Sequence, residues 1–360
     1  MPVESHADRQ VRLPDEFSTR LLVRRTLWVV ALLGVIALIA AFAPGLGEVR
    51  GYLKDAAGGW IAVAIVLEFL SGVSYVAMFR PVFCMRASWR TSWEIGWSEL
   101  AVGSLVPASG AGGLALGAWI LSQGGMPAEK IARRSVAFFL IKSSVNFVAV
   151  AVIGTAMALG VGPHRTLLLT ALPAALSLAV IGAVLLLPRI GRGEEAADDD
   201  GRARKAFLAV RRAVVDGSGE AVRIIRSGNV LVIAGAFGYW AFDNAVLWAM
   251  YRAFDTTVPL TVVLMGYLIG QLGGLLPIPG GIGGIDGGLI GTLILYGIPA
   301  AEATAAVLAY RVVLFWVPLV MGIPAWFLLR RHLDDIAAEG IYPDDEPQRD
   351  GAPAKADAPS

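Results

Sequence analysis

Cysteine and histidine are nearly absent: Cys84 is the one thiol, and His6, His164 and His332 are the only imidazoles in 360 residues. One thiol makes no internal disulfide and no thiolate metal cluster. Three histidines far apart in polar segments make no metal site. Charge is scarce as well, at 16% of residues, where a soluble domain carries about 25%. A net charge of +1 gives no global basic field for nucleic acid. No G-x-x-x-x-G-K-[ST] string occurs, so nucleotide-driven transport within this chain is not expected. Neither H-E-x-x-H nor a nucleophile–base pair lies in the apolar region. No metal, cofactor or catalytic group is therefore expected.

What the chain has in abundance is apolar residues, 56% of the total, with a mean hydropathy of +0.65. They lie in blocks long enough to span a membrane, since about 20 helical residues cross the hydrocarbon core. The fold class is an all-α polytopic membrane protein. Six uninterrupted runs cover 26–43, 59–79, 135–159, 166–188, 229–251 and 304–329. The first follows a long polar lead and reads as an uncleaved anchor rather than a signal peptide, because Pro44 would follow a cut after Ala41-Phe42-Ala43. Two further runs, 94–123 and 258–296, are broken by Val106-Pro107-Ala108-Ser109-Gly110 and Pro277-Ile278-Pro279-Gly280-Gly281. Proline removes a donor and clashes with the preceding turn, so each broken run is a pair of helical pieces.

Basic residues set the orientation. Residues 1–25, 80–93, 124–134, 189–228 and 330–360 hold five, three, three, nine and four Lys/Arg, which is 24 of the 30. The other connectors hold Arg50, Lys54, Arg165 and Arg252, and Lys142 and Arg311 lie inside spans. Both termini are placed in the cytoplasm of a multi-pass cell-membrane protein. Segment 94–123 then enters and leaves from the cytoplasm, and 258–296 starts and ends outside. Each reads either as a re-entrant hairpin with its break at membrane depth, which needs a protein-lined or wet setting, or as two short full crossings. The expected organisation is six full spans plus two broken hairpins, eight nominal segments. A cytoplasmic segment covers 1–25, the membrane domain 26–330, a cytoplasmic linker 189–228, and a disordered tail 331–360.

The two breaks resemble each other. With Pro107 on Pro277, Gly110 meets Gly280, Gly113 meets Gly283 and Gly117 meets Gly287. Both runs then reach G-[MI]-P-A, as Gly125-Met126-Pro127-Ala128 and Gly297-Ile298-Pro299-Ala300. Charges repeat too. Glu68 precedes the first break and Lys142 follows it; Asp243 precedes the second and Arg311 follows it. Each half, about 58–160 and 229–330, is a span with an acid, a broken hairpin and a span with a base. Opposite orientations would make an inverted repeat, the plan of many secondary transporters with substrate at the breaks. Chance matching in Gly/Ala/Leu-rich sequence is the alternative.

Pro277-Ile278-Pro279-Gly280-Gly281-Ile282-Gly283, the acid Asp286, Gly297-Ile298-Pro299 and Tyr310-Arg311 with Pro318 resemble the membrane domain of lysylphosphatidylglycerol synthases, which also occurs as a stand-alone flippase-like family. The resemblance spans about residues 20–330. It implies a lipid flippase-like protein that binds or translocates a phospholipid or other anionic lipid. Aminoacyl transfer belongs to a separate soluble domain and is not expected here. A membrane component of an enzyme system acting on lipid-linked substrates, by glycosyl or aminoacyl transfer, is the other reading, with a lipid-modifying enzyme as partner.

Charges in hydrocarbon mark a cavity, a partner or a pathway. The candidate substrate-binding residues are Arg311, Lys142, Asp286, Asp243 and Glu68, with Pro107, Gly110, Pro277, Gly280, Gly281 and Gly283 at the breaks. Arg311 suits a phosphate because its planar fork holds two oxygens, with Asp286 positioning the guanidinium. Mutual neutralisation within the bundle is the alternative. The glycines could offer helix N-terminal N–H groups to an anion or simply pack helices closely. Segment 205–226 alternates apolar and basic residues and reads as a surface-lying amphipathic helix or as a plain linker. Trp60, Trp89, Trp93, Trp97 and Trp316 suit interfacial anchoring.

Overall fold

The computed structural model describes residues 47–83, 88–105, 111–163, 166–191, 201–271 and 284–339, with positions 21, 23–28, 31 and 34 before them. Every regular element among them is helical. In chain order these are α1 (Gly47–Lys54), α2 (Gly58–Phe83), α3 (Trp89–Leu105), α4 (Ala111–Gln123), α5 (Ala128–Ala158) and α6 (Ala171–Ile190). After them come α7 (Arg202–Arg226), α8 (Val230–Ala253), α9 (Leu260–Gln271), α10 (Gly284–Leu295), α11 (Ala300–Arg331) and α12 (Leu333–Glu339). Five of them, α2, α5, α6, α8 and α11, are long and apolar enough to cross a membrane. Most of the first apolar run, 26–43, lies outside the described residues.

Both broken runs are pairs of helices, α3 with α4 and α9 with α10. The breaks themselves, with Pro107 and Gly110 in one and Pro277, Gly280, Gly281 and Gly283 in the other, lie outside the described residues. Beyond them the G-[MI]-P-A strings take one conformation. Gly125 has φ +87° and Gly297 +89°. Met126 N donates to Leu121 O and Ile298 N to Leu293 O. Pro127 and Pro299 then open α5 and α11 with φ −60° and −56°. A left-handed glycine ends one helix, and a proline with no N–H to lose starts the next.

The acid-bearing spans α2 and α8 pack along their lengths. Ala57 N bonds Ala253 O at 2.8 Å, the Trp60 and Trp248 rings meet edge to face, Ser71 Oγ donates to Tyr239 O, and Gly235 abuts Ser74 and Met78. One chain number rises as the other falls, so the helices are antiparallel. α11 packs on α3, where Gly322 lies against Ala101 and the Trp97 carbonyl; α5 touches α9, where Gly154 meets Met265. Small residues at these crossings let backbones approach, which in a membrane is the main source of helix affinity.

Two apolar clusters fill the bundle. One holds Tyr75, Phe79, Phe83 and Phe138 with Leu116, Ile120 and Trp326. The other holds Val246, Met250, Met265, Leu293 and Val307. Along α2 and α8, Glu68 and Asp243 fall between the two. α6 is peripheral, with Leu172, Leu176, Leu178, Leu185 and Leu186 exposed.

Three expectations change. Trp97 is fully buried, stacked on Phe69 and pressed on Gly72, so it is a core residue and not an interfacial anchor. The tail does not begin as disorder: Leu333 and Ile336 of α12 are buried in the first cluster. The linker contains a docked helix. α7 packs on α5 and α6, and its buried Glu220 meets Arg133 and Arg134 of α5 at 3.6 and 4.0 Å.

Candidate functional site

Four of the five charged residues expected inside the membrane converge. Glu68 of α2, Lys142 of α5, Asp243 of α8 and Arg311 of α11 line one cavity of about 260 Å³. α3 and α4 add Glu99, Gly103, Ser104 and Gly113 to the wall, and Tyr75 of α2, Tyr239 of α8 and Pro318 of α11 line it as well. The fifth residue, Asp286 of α10, is bonded to Arg311. Arg311 Nε donates to Asp286 Oδ1 at 2.7 Å, and a second guanidinium nitrogen reaches the same oxygen. Ion pairing of this kind preorganises a planar fork. Both side chains keep some exposure, 20% and 14%, so the guanidinium is held without being sealed.

Asp243 is the most heavily bonded acid. Tyr267 of α9 donates to its Oδ2, and Tyr310 of α11 donates to its Oδ1 at 2.9 Å. One carboxylate therefore ties three helices together. Glu99 of α3 accepts from Tyr75 of α2 at 2.8 Å. Lys142 makes no ion pair among the described residues. Its ammonium lies 5.9 Å from the Tyr75 ring centre and 5.4 Å from that of Tyr239, where the negative faces of the rings attract it. Glu99 and Asp243 line the same cavity as Lys142. Glu68 is 8% exposed, and its Oε2 has no hydrogen-bond partner.

Glu99 and the four tyrosines were not among the expected site residues. A signal for them exists. Tyr75 and Glu99 are 24 residues apart, and so are Asp243 and Tyr267. Tyr75 and Asp243 are 168 apart in the chain, as are Glu99 and Tyr267, and Trp97 and Met265, and Gly154 and Gly322. Lys142 and Arg311 are 169 apart. These pairs keep a register near 168, whereas Pro107 and Pro277 are related by 170 and the G-[MI]-P-A strings by 172.

The arrangement can do particular things. A cavity among apolar clusters lined by two basic side chains, three acidic ones and two phenols solvates a polar, charged group at a depth where lipid cannot. Among the described residues no group of three or more His, Cys, Asp or Glu side chains is arranged to hold a metal ion.

Residues 27–322 match the family model described as the lysylphosphatidylglycerol synthase TM region, a range that contains all the cavity residues. A UPF0104 membrane protein of Methanothermobacter thermautotrophicus is 25% identical, over 82% of this chain and 94% of its own length. A UPF0104 membrane protein of Methanocaldococcus jannaschii is 31% identical over 96 residues, which is 26% of this chain and 29% of that protein.

Proposed function

The chain belongs to the lysylphosphatidylglycerol synthase TM-region family, and from that premise we propose that it binds and translocates a phospholipid or other anionic lipid. The observation that carries this reading is the convergence of Glu68, Lys142, Asp243 and Arg311 from four separate helices on one cavity. Buried charges that only neutralised one another would be expected to meet directly. Here Lys142 makes no ion pair among the described residues and lines the same cavity as Arg311. A phosphate placed there would be offered an ammonium point charge and a guanidinium fork. The lipid's acyl chains would stay in the bilayer while its headgroup entered the cavity.

The transport half of the proposal is supported by the internal repeat. Two sets of span, broken hairpin and span, related by a near-constant register and built around the antiparallel pair α2–α8, suit an inverted repeat with its axis between Glu68 and Asp243. Repeats of that kind place substrate where they meet. The 24 basic residues on one side of the expected topology support a cell-membrane protein with both termini cytoplasmic and with each broken run starting and ending on the same side. A lipid-modifying enzyme would then supply the cargo.

The test is exposure of a labelled anionic phospholipid across proteoliposomes at equal protein content. The reading expects wild-type protein to accelerate exposure and Arg311→Lys, folded and inserted, to slow it. Equal rates with and without protein would sink it.

A further inference from the structure

We propose that Glu68 holds an exchangeable proton, so that H⁺ is the ion this cavity takes up and releases; the proposal deepens the lipid reading above and rests on it only for what the proton is used for. The three acids of the cavity are treated unequally. Asp243 receives two tyrosine hydroxyls and stands within the field of Lys142 and Arg311. Glu99 receives the Tyr75 hydroxyl and stands within the field of Lys142. Glu68 has neither a donor nor a cation in contact among the described residues, although it is 8% exposed and faces the same space.

The groups around it come from every neighbouring helix. Tyr75 shares its own helix, Glu99 faces from α3, Lys142 from α5 and Asp243 with Tyr239 from α8. Tyr267 stands on α9, and Tyr310 and Arg311 on α11, with Asp286 of α10 behind the guanidinium. Asp243, of the same sign, lines the same cavity as Glu68. An ionised Glu68 would therefore place a second negative charge next to the first and leave a buried oxygen bare. Both penalties vanish when the carboxyl is neutral. The step balances simply: a hydronium in the cavity water gives its proton to the carboxylate and becomes water, and the reverse releases it. Uptake removes one negative charge from the cavity that Lys142 and Arg311 also line, which favours a phosphate. Headgroup entry and proton uptake are then linked, each promoting the other.

The experiment needs no lipid. Purified protein in detergent is taken through pH steps, and the infrared band of the carboxylic-acid carbonyl is followed in wild type, Glu68→Gln and the surface control Glu129→Gln. Wild type and Glu129→Gln should show a protonated-acid band at neutral pH that Glu68→Gln lacks. Size-exclusion elution and thermal unfolding establish that the variant is folded. Should Glu68→Gln fail to fold, Glu68→Asp keeps the carboxyl and should shift the band. A band unchanged in whichever of these variants folds overturns the proposal. So does a band that sodium removes at constant pH, which would make the site one for a metal cation. Loss of lipid movement with the band intact would sink the transport reading and leave the proton site standing.

Discussion

Residues 58–158 and 230–331 run through the same order of helices and exchange their chemistry. In the first half the span carries the tyrosine and the hairpin the acid, Tyr75 and Glu99. In the second the span carries the acid and the hairpin the tyrosine, Asp243 and Tyr267. The bases differ in the same spirit. Lys142 rests over two aromatic rings without an ion pair among the described residues, whereas Arg311 is clamped by Asp286. The cavity also takes sides: α3 and α4 line it, and among the described residues nothing from α9 or α10 does. One half is thus braced and the other open. Such an exchange is tolerable because a phenol–carboxylate bond holds two helices together whichever helix supplies the acid.

Orientation offers the all-or-none test. If the halves are inverted, single cysteines at Arg50 and Arg165, in a Cys84→Ser background, should label from outside intact cells with a membrane-impermeant reagent. Cysteines at Asp200 and Gly340 should not. External labelling at Asp200 would break the inversion.

Stability separates braced from open. Asp243→Ala leaves two buried tyrosine hydroxyls without an acceptor and should destabilise the protein by about 2–6 kcal/mol, at about 1–3 kcal/mol for each orphaned group. Glu99→Ala leaves one and should cost about 1–3 kcal/mol. Thermal unfolding in detergent ranks them. Equal losses would mean that the second half is no more braced than the first.

The bases come next. Arg311→Lys keeps the charge but reduces two contacts on Asp286 to one, and removes the fork. Loss of a charge-assisted bond of about 1.5–3 kcal/mol corresponds to about a tenfold or greater fall in the rate of labelled-lipid exposure. Lys142→Arg should change the rate less, because Lys142 rests over two aromatic rings, whose faces attract a guanidinium as well. A larger effect at Lys142 would reverse the comparison.

Much of this is legible in the amino-acid sequence. Charge inside apolar runs is costly enough to be informative, so Glu68, Lys142, Asp243, Arg311 and Asp286 stand out, and the proximity of Asp286 to Arg311 follows from a hairpin returning beside its span. Glu99 does not stand out, because α3 also carries Arg90, Glu94, Ser92 and Ser98 and reads as a polar margin. The tyrosines are hidden because a phenol inside a span looks like packing until its partner is known. Trp97 misleads because composition marks tryptophan as amphipathic without showing that Gly72 opens a slot for it. The docking of α7 depends on Glu220 meeting arginines of another helix, which no local pattern reveals.

The smallest effect bears most directly on the duplication. Gly125 and Gly297 occupy the same step of the same turn, at φ +87° and +89°. A side chain there disfavours the left-handed conformation by about 1–2 kcal/mol. At Gly125 nothing lies within 4 Å of an added Cβ, so Gly125→Ala reports backbone strain alone. If Gly297 is its structural twin, Gly297→Ala should cost the same to within about 0.5 kcal/mol, the ordinary scatter for independent sites. The double variant should show the sum, since the turns belong to different halves and share no hydrogen bond. Unfolding midpoints of the three variants in one detergent decide it. A large cost at one turn with none at the other would mean that the matching strings only resemble each other, and would remove the G-[MI]-P-A step from the case for duplication while leaving the 168-residue register of the spans to stand alone.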